Sequence, residues 1–356
     1  MHRGLRQLGI AAALTIGLGV GVAACGDEEE PAPATSGGSK SAASGEVKKV
    51  SFMLDYFHSE THSAFFAADE QGFYKEEGLE VDIQPGQGST VTAQQVGEGN
   101  ATFGWANATA VTQAVTKGAP IKAIASMRQL TDAGVMYWPN KGISSPADLA
   151  GKTCGVTAAG FVSLLFPEWA KNTGADESKI KTRVVDASAG SALFGSQKID
   201  CFEGSVAQVF FYKPVDGATP QIFRFSDAGL NTLGFTLIAS HDTLSSDADT
   251  AEKFVRATLK GWKYACANAE EVVPKTREHM EEPAYDEATG VKILLAACEL
   301  EHTPASQGKP LGYMAPEDWT STLEILQSSP KLEVKDPPPA EDLYTNDIMD
   351  KVGDVG

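Results

Sequence analysis

From Val50 onward the apolar positions switch repeatedly between a spacing of two and a spacing of three to four. The first spacing suits a half-buried strand and the second an amphipathic helix. The pattern predicts strands at Val50–Phe57, Glu80–Gln84, Ala101–Trp105 and Ile121–Ser126, with helices at Ser63–Glu76, Thr90–Gly97 and Thr109–Lys117 between them. Such alternation argues for a mainly parallel sheet covered by helices. A second series follows: a short capped helix at Ser145–Leu149, a helix at Gly160–Asn172 and another at Gln208–Tyr212. Its strands are predicted at Thr153–Val156, Thr182–Asp186, Ile199–Glu203 and Ile222–Phe225, and Leu233–Ser240 is a further apolar strand. Beyond it the chain reads as helical: Ala248–Asn268, Glu271–Met280, Glu287–Cys298 and Pro316–Leu326.

Two α/β series and a helical tail predict two α/β lobes joined by a two-strand hinge. The expected first lobe is 47–137 plus 234–356 and the second is 138–233. The crossovers are expected near Trp138-Pro139 and Asn231–Gly234. No repeat at solenoid periods is evident.

The first residues follow a different pattern. Arg3 and Arg6 precede an apolar run, Ile10–Val22, that ends in Val22-Ala23-Ala24-Cys25. A positive start, a short apolar stretch and small residues before a break make an export signal, and the run is too short to span a bilayer. No Arg-Arg pair is present, which favours general secretion. The expected signal peptide is 1–24. The small residues before Cys25 resemble a bacterial lipobox, which implies acylation of Cys25 and attachment to the outer face of the membrane. An ordinary signal peptide cut near Ala24 is the alternative. Residues 25–46, with Asp27-Glu28-Glu29-Glu30 and a Ser/Gly/Ala stretch, hold almost no large apolar side chain and read as a flexible tether.

Charge and cysteine narrow the partners. The formal net charge of −18 makes nucleic acid a poor partner. Four cysteines follow Cys25: Cys154 and Cys201 in strand-like runs, Cys266 and Cys298 in helical ones. An even count outside the cytoplasm favours disulfides with three possible pairings, of which Cys154–Cys201 and Cys266–Cys298 is preferred. Four buried free thiols are the alternative. The spacing fits no metal-ligand pattern.

Several stretches carry a family resemblance. Leu54-Asp55-Tyr56-Phe57, His62 and the run Phe65–Val81 resemble the opening signature of substrate-binding proteins similar to thiamine-pyrimidine synthase. That group (NMT1/THI5-like, SsuA-like) includes binders of pyrimidine precursors, riboflavin and sulfonates. Asp148–Lys152 followed by Gly155-Val156, Lys198-Ile199-Asp200 and Leu343-Tyr344-Thr345-Asn346 resemble further family motifs. The resemblance implies a periplasmic-binding-protein-like fold that closes over a small molecule and presents it to the permease of an ABC importer. The wider resemblance includes a pyrimidine-precursor synthase, but an exported protein lacks an obvious supply of that enzyme's cofactor and the Cys-rich motif of that branch is not visible, so no enzymatic step and no cofactor are expected. A monomer is expected.

In open α/β sheets, ligands bind beyond the carboxyl ends of the strands, near helix N-termini. That rule selects Asp55, Tyr56, Phe57, Trp105, Asn107, Arg128, Gln129, Phe161 and Glu203, with His62 lining or capping nearby. Tyr56, Phe57, Trp105 and Phe161 offer flat faces to a ring. Asp55 and Glu203 suit an exocyclic amine and a ring nitrogen, because an ionised acceptor makes stronger hydrogen bonds. Only Arg128 is a clear cation among them, so an aromatic heterocycle is expected rather than a sulfonate or nitrate. Each has a structural alternative: core packing for the aromatics, capping for Asp55 and Glu203, an ion pair for Arg128. His58 and His62 do not have metalloprotease spacing, and no phosphate-loop or nucleophile-elbow motif is complete. No catalytic or metal-binding residue is assigned.

Overall fold

The computed structural model describes residues 47–157, 161–281, 285–328 and 334–356. The expected signal peptide, Cys25 and the tether lie outside the described residues. The chain enters through β1 (Lys48–Met53), α1 (Ser63–Glu70), α2 (Phe73–Glu76), β2 (Leu79–Gln84), α3 (Ser89–Gly97), β3 (Phe103–Asn107), α4 (Ala108–Thr116) and β4 (Ile121–Arg128). A second series comprises β5 (Ala133–Tyr137), β6 (Thr153–Val156), α5 (Phe161–Thr173), β7 (Lys181–Val184), α6 (Ala187–Gly195), β8 (Cys201–Ser205) and β9 (Gln221–Arg224). The chain returns as β10 (Phe235–Ser240). It then forms α7 (His241–Ser246), α8 (Ala248–Ala267), α9 (Ala269–Glu278), α10 (Glu287–Cys298), α11 (Pro316–Ser328), α12 (Ala340–Leu343) and α13 (Asp347–Val352).

Each series builds one five-stranded sheet, in the orders β2-β1-β3-β10-β4 and β7-β6-β8-β5-β9. The two sheets share one design. Parallel strands (β2, β1 and β3 in one, β7, β6 and β8 in the other) stand beside a single antiparallel strand, β10 or β5. Those two antiparallel strands are the ones that directly follow a crossover. A strand that starts at the junction runs away from it, while the parallel strands run towards it. The carboxyl ends of β3 and β8 therefore point at the junction.

The core follows from the pattern. α8 turns Phe254, Leu259 and Trp262 inward, and the ring of Phe254 stacks on Phe103 of β3 at 4.1 Å. Each such fully buried ring contributes roughly 1.5–3 kcal/mol over an exposed one. In the second lobe Trp169 of α5 stacks near Phe223 and Phe225, with centroids 6.2 and 6.0 Å away. Cys154 is bonded to Cys201 across the neighbouring strands β6 and β8, and Cys266 to Cys298 between the ends of α8 and α10.

Three expectations need correction. The first crossover is at Gln129–Asp132, not near Trp138-Pro139. Ala133–Tyr137 pairs with β8 and β9, so it belongs to the second sheet. The helix expected over Ser63–Glu76 breaks at Gly72, which sits at φ 77°, where a side chain is disfavoured. The tail does not belong to the first lobe alone, because Ile325 and Leu326 of α11 are buried in the core of the second.

Candidate functional site: a cleft between the sheets

A cavity of about 470 Å³ lies where the two sheets meet. Its first wall is made by the starts of α3 and α4: Thr90, Asn107, Thr109 and Ala110. Asn107 caps α4, its Oδ1 accepting from the Ala110 amide at 2.8 Å, and its own amide donates to Ser89 Oγ at 3.2 Å. Asn is a favoured residue at this position because its side chain satisfies an otherwise unpartnered amide. Two helix N-termini thus open towards the cavity.

The floor is made by the two crossovers, through Thr131, Asp132 and Thr232–Phe235. They are bonded to each other and to the first wall. The Thr131 amide donates to Asn231 Oδ1 at 2.8 Å, and the Ala108 amide to the Gly234 carbonyl at 2.8 Å. Arg128 pairs with Asp132 at 2.7 Å and lies 4.4 Å over the Phe235 ring. That cation is buried beneath the floor and neutralises Asp132.

The second wall comes from Val162, Ser191, Phe202, Glu203, Gln208 and Tyr212. The hydroxyls of Thr157 and Ser163 donate to the two carboxylate oxygens of Glu203. Gln208 accepts from the Ser205 amide at 2.9 Å, which fixes its amide against the end of β8. The Tyr212 hydroxyl meets Ser191 Oγ at 3.0 Å, and burial pushes its pKa above the usual tyrosine value.

Of the residues selected from the sequence, Asn107 and Glu203 line this cavity. The others stand elsewhere. Trp105 is fully buried in the core of the first lobe, packed against Phe65, Phe235 and Trp262. Gln129 is also fully buried, and its amide donates to the carbonyls of Ser126 and Tyr313 at 3.1 and 2.8 Å. It holds the crossover to the tail. Asp55 accepts from His62 at 2.8 Å, and the other His62 ring nitrogen meets Ser59 Oγ at 3.2 Å. Burial raises the Asp55 pKa, but the His62 hydrogen bond and the charges of His62 and Arg128 outweigh it and leave the carboxyl below its ordinary value. Tyr56 and Phe57 touch edge to face at 4.7 Å and are exposed, at 57% and 58%. Phe161 opens α5 beside the cavity-lining Val162, and its side chain lies outside the described residues.

Asp132, Gln208, Tyr212 and Phe235 line the cavity without having been selected. Gln208 lies one turn past Glu203 and could have been reached by following the strand-end rule further. Asp132 and Phe235 depend on where the crossovers dock, which no local pattern reports.

The family model described as "NMT1/THI5 like" matches residues 59–272, more than half of the chain. The chain belongs to the NMT1/THI5-like family. This NMT1/THI5-like chain is 23% identical to the formylaminopyrimidine-binding protein of Halalkalibacterium halodurans, over 84% of this chain and 90% of the relative. It is 20% identical to the riboflavin-binding protein RibY of Chloroflexus aurantiacus, over 85% and 86%. A 4-amino-5-hydroxymethyl-2-methylpyrimidine phosphate synthase of Legionella pneumophila is 26% identical over 63% and 71%. Among solved structures, the periplasmic aliphatic sulphonate-binding protein SsuA of Escherichia coli superposes with a TM-score of 0.63. It is 11% identical, and the match covers 85% of this chain and 93% of that one. That likeness establishes the periplasmic-binding-protein-like fold.

In this NMT1/THI5-like chain the cavity offers rings (Phe202, Tyr212, Phe235), side-chain amides, hydroxyls and two carboxylates. No Lys, Arg or His is among the described residues that line it. Such a wall can stack a ring and accept hydrogen bonds from its edge.

Proposed function

We propose that this chain is the solute-binding component of an ABC importer. It captures an aromatic heterocycle, of the thiamine-pyrimidine or flavin type, in the cleft between its lobes. The wall of the cavity carries the reading: Glu203 and Asn107 stand beside aromatic rings, and none of the described residues that line it is cationic. A carboxylate accepts strongly from an exocyclic amine. A sulfonate or nitrate binder needs donors and positive charge instead. Membership of the NMT1/THI5-like family and the names of the two binding-protein relatives support the same choice. The chain acts by binding alone, as a monomer; the related synthases define the competing reading.

Thermal unfolding of the full chain tests this, with a panel of aminopyrimidines, riboflavin, taurine and nitrate. A ligand at 100 times its Kd stabilises the fold by about 2.7 kcal/mol. Stabilisation by an aminopyrimidine or riboflavin is the expected result. Stabilisation by taurine or nitrate alone overturns the ligand class and keeps the binding role, and turnover of a ligand favours an enzyme.

The N-terminal pattern extends the proposal. After export, acyl chains on Cys25 would hold the domain at the outer face of the membrane, near its permease. Cys25→Ala should then move the exported chain from the membrane to the soluble fraction. Equal membrane attachment of that variant removes the anchor from the proposal.

A further inference from the structure

Glu203 and Asp132 are the two carboxylates of the cavity wall, and they are not equivalent. Asp132 has its countercharge in Arg128, at 2.7 Å. Glu203 has none. Its partners are the neutral hydroxyls of Thr157 and Ser163. Among the described residues that line the cavity, none adds a cation. β5 sets Val135 opposite it in register, and β6 ends at Val156. α6 contributes Ser191 to the wall, and the turn after β8 contributes Gln208 and Tyr212. Among the described residues of this wall, Tyr212 is the one further titratable group, and burial keeps it protonated.

The start of α5 is the nearest compensation, since Ser163 lies in its first turn. A helix N-terminus is worth roughly half a positive charge. Water can solvate the remainder only while the cleft is open to solvent. Closure over a neutral ligand would strip that water and leave a buried carboxylate without a countercharge, which is costly. Closure over a cation replaces the water with a countercharge.

Resting on the function proposed above, we propose that the ligand is bound as a cation, a 4-aminopyrimidine protonated on the ring nitrogen beside its amino-bearing carbon and paired through two N–H donors with Glu203. A ring nitrogen next to an amino-bearing carbon forms an amidinium when protonated. Its two N–H groups then face one way, as those of an arginine do towards a carboxylate. Two hydroxyls already occupy part of the carboxylate, and an ionised carboxylate has about four acceptor sites, so two are left for this pair. The proton comes from solvent and no covalent bond is broken. An uncharged tricyclic flavin lacks this pairing, so the cleft selects the pyrimidine.

The test is the affinity of the full chain for 4-amino-5-hydroxymethyl-2-methylpyrimidine as a function of pH. Calorimetry in buffers of different ionisation heat accompanies it. Above the free ligand's own pKa, binding of the cation should weaken by about tenfold per pH unit and take up about one proton per ligand. Glu203→Gln should lower affinity at least about tenfold and flatten the profile. The wild-type profile decides the matter even if that variant folds poorly. Tight binding that is flat in pH and takes up no proton overturns the cationic ligand and leaves the heterocycle reading standing. Failure of every aminopyrimidine to bind, at any pH, overturns the cationic ligand, and the heterocycle reading then stands or falls on riboflavin.

Discussion

Asp55 shows how one residue's surroundings set the acid stability of the first lobe. Burial alone would raise its pKa, yet the hydrogen bond from His62 and the charges of His62 and Arg128 bring the carboxyl below its ordinary value. A depressed folded value means that the ionised form is favoured by folding. Its contribution is complete above the unfolded carboxylate range, near pH 4, and is lost as the pH falls through the folded value. Asp55→Asn should therefore cost about 1.5–3 kcal/mol near neutral pH, the worth of a hydrogen bond to a charged group. It should also shed less further stability than the wild type below about pH 4. Urea midpoints across that window read the difference, and parallel curves would refute the assignment. Trp105 calls for a different expectation. It is fully buried in the core, so Trp105→Ala should destabilise by about 3–5 kcal/mol. Binding measured well below the variant's melting temperature should survive, and a specific loss of affinity with unchanged stability would return Trp105 to the site. Sequence reasoning selected both Trp105 and Glu203 by the strand-end rule. β3 is buried along both faces through Phe103–Ala106, so alternation could not say which end residue opens to the cavity. β8 passes from buried Cys201 and Phe202 to partly exposed Glu203, and there the end residue reaches the cavity.

At the scale of elements, the two crossovers act as one unit. Gly234 packs so closely on the other crossover that an added Cβ would lie 2.2 Å from the Arg128 carbonyl oxygen and 2.8 Å from that of Leu130. Both are backbone atoms and cannot swing aside. Gly234→Ala should cost about 1–3 kcal/mol through overpacking. Because Gly234 also accepts from the Ala108 amide at the start of α4, the cost should be accompanied by weaker ligand binding. Calorimetric unfolding and titration of the same preparation would test it, and an unperturbed variant would show that the crossovers slide freely. The alternating elements were legible in the sequence because strand and helix spacings differ so clearly. The crossover at Gln129–Asp132 was not. The apolar run of β4 ends in Arg128-Gln129, but β5 is short and fully buried, and Trp138-Pro139 just after it looks like a break. Only pairing with β8 and β9 assigns it to the second sheet, and pairing is a tertiary fact.

At the scale of the whole molecule, α11 ties the lobes together beyond the crossovers. Its first half places Trp319 in the core of the first lobe, stacked on Tyr344 at 5.4 Å. Its second half buries Ile325 and Leu326 in the core of the second lobe, with Val334 beside them. The tail makes further contacts: Phe211 stacks on Tyr285 at 4.4 Å, Arg224 pairs with Glu299 at 3.0 Å, and Val206 packs on Ala296 and Leu300. A ligand-binding protein built on two lobes gains specificity when closure is the event that its partner reads, and closure needs lobes that move as rigid bodies. A helix shared by both cores resists independent melting of either lobe while leaving the crossovers to bend. The wild-type chain should therefore unfold in one cooperative transition. Leu326→Ala should remove about 2–5 kcal/mol from the second core. It should loosen that lobe first, so that amides of β6–β8 exchange faster while those of β1–β3 keep their protection. Hydrogen exchange read strand by strand distinguishes this from the alternative. If both sheets lose protection equally, the two cores form one cooperative block, and movement between lobes must arise elsewhere than at the crossovers.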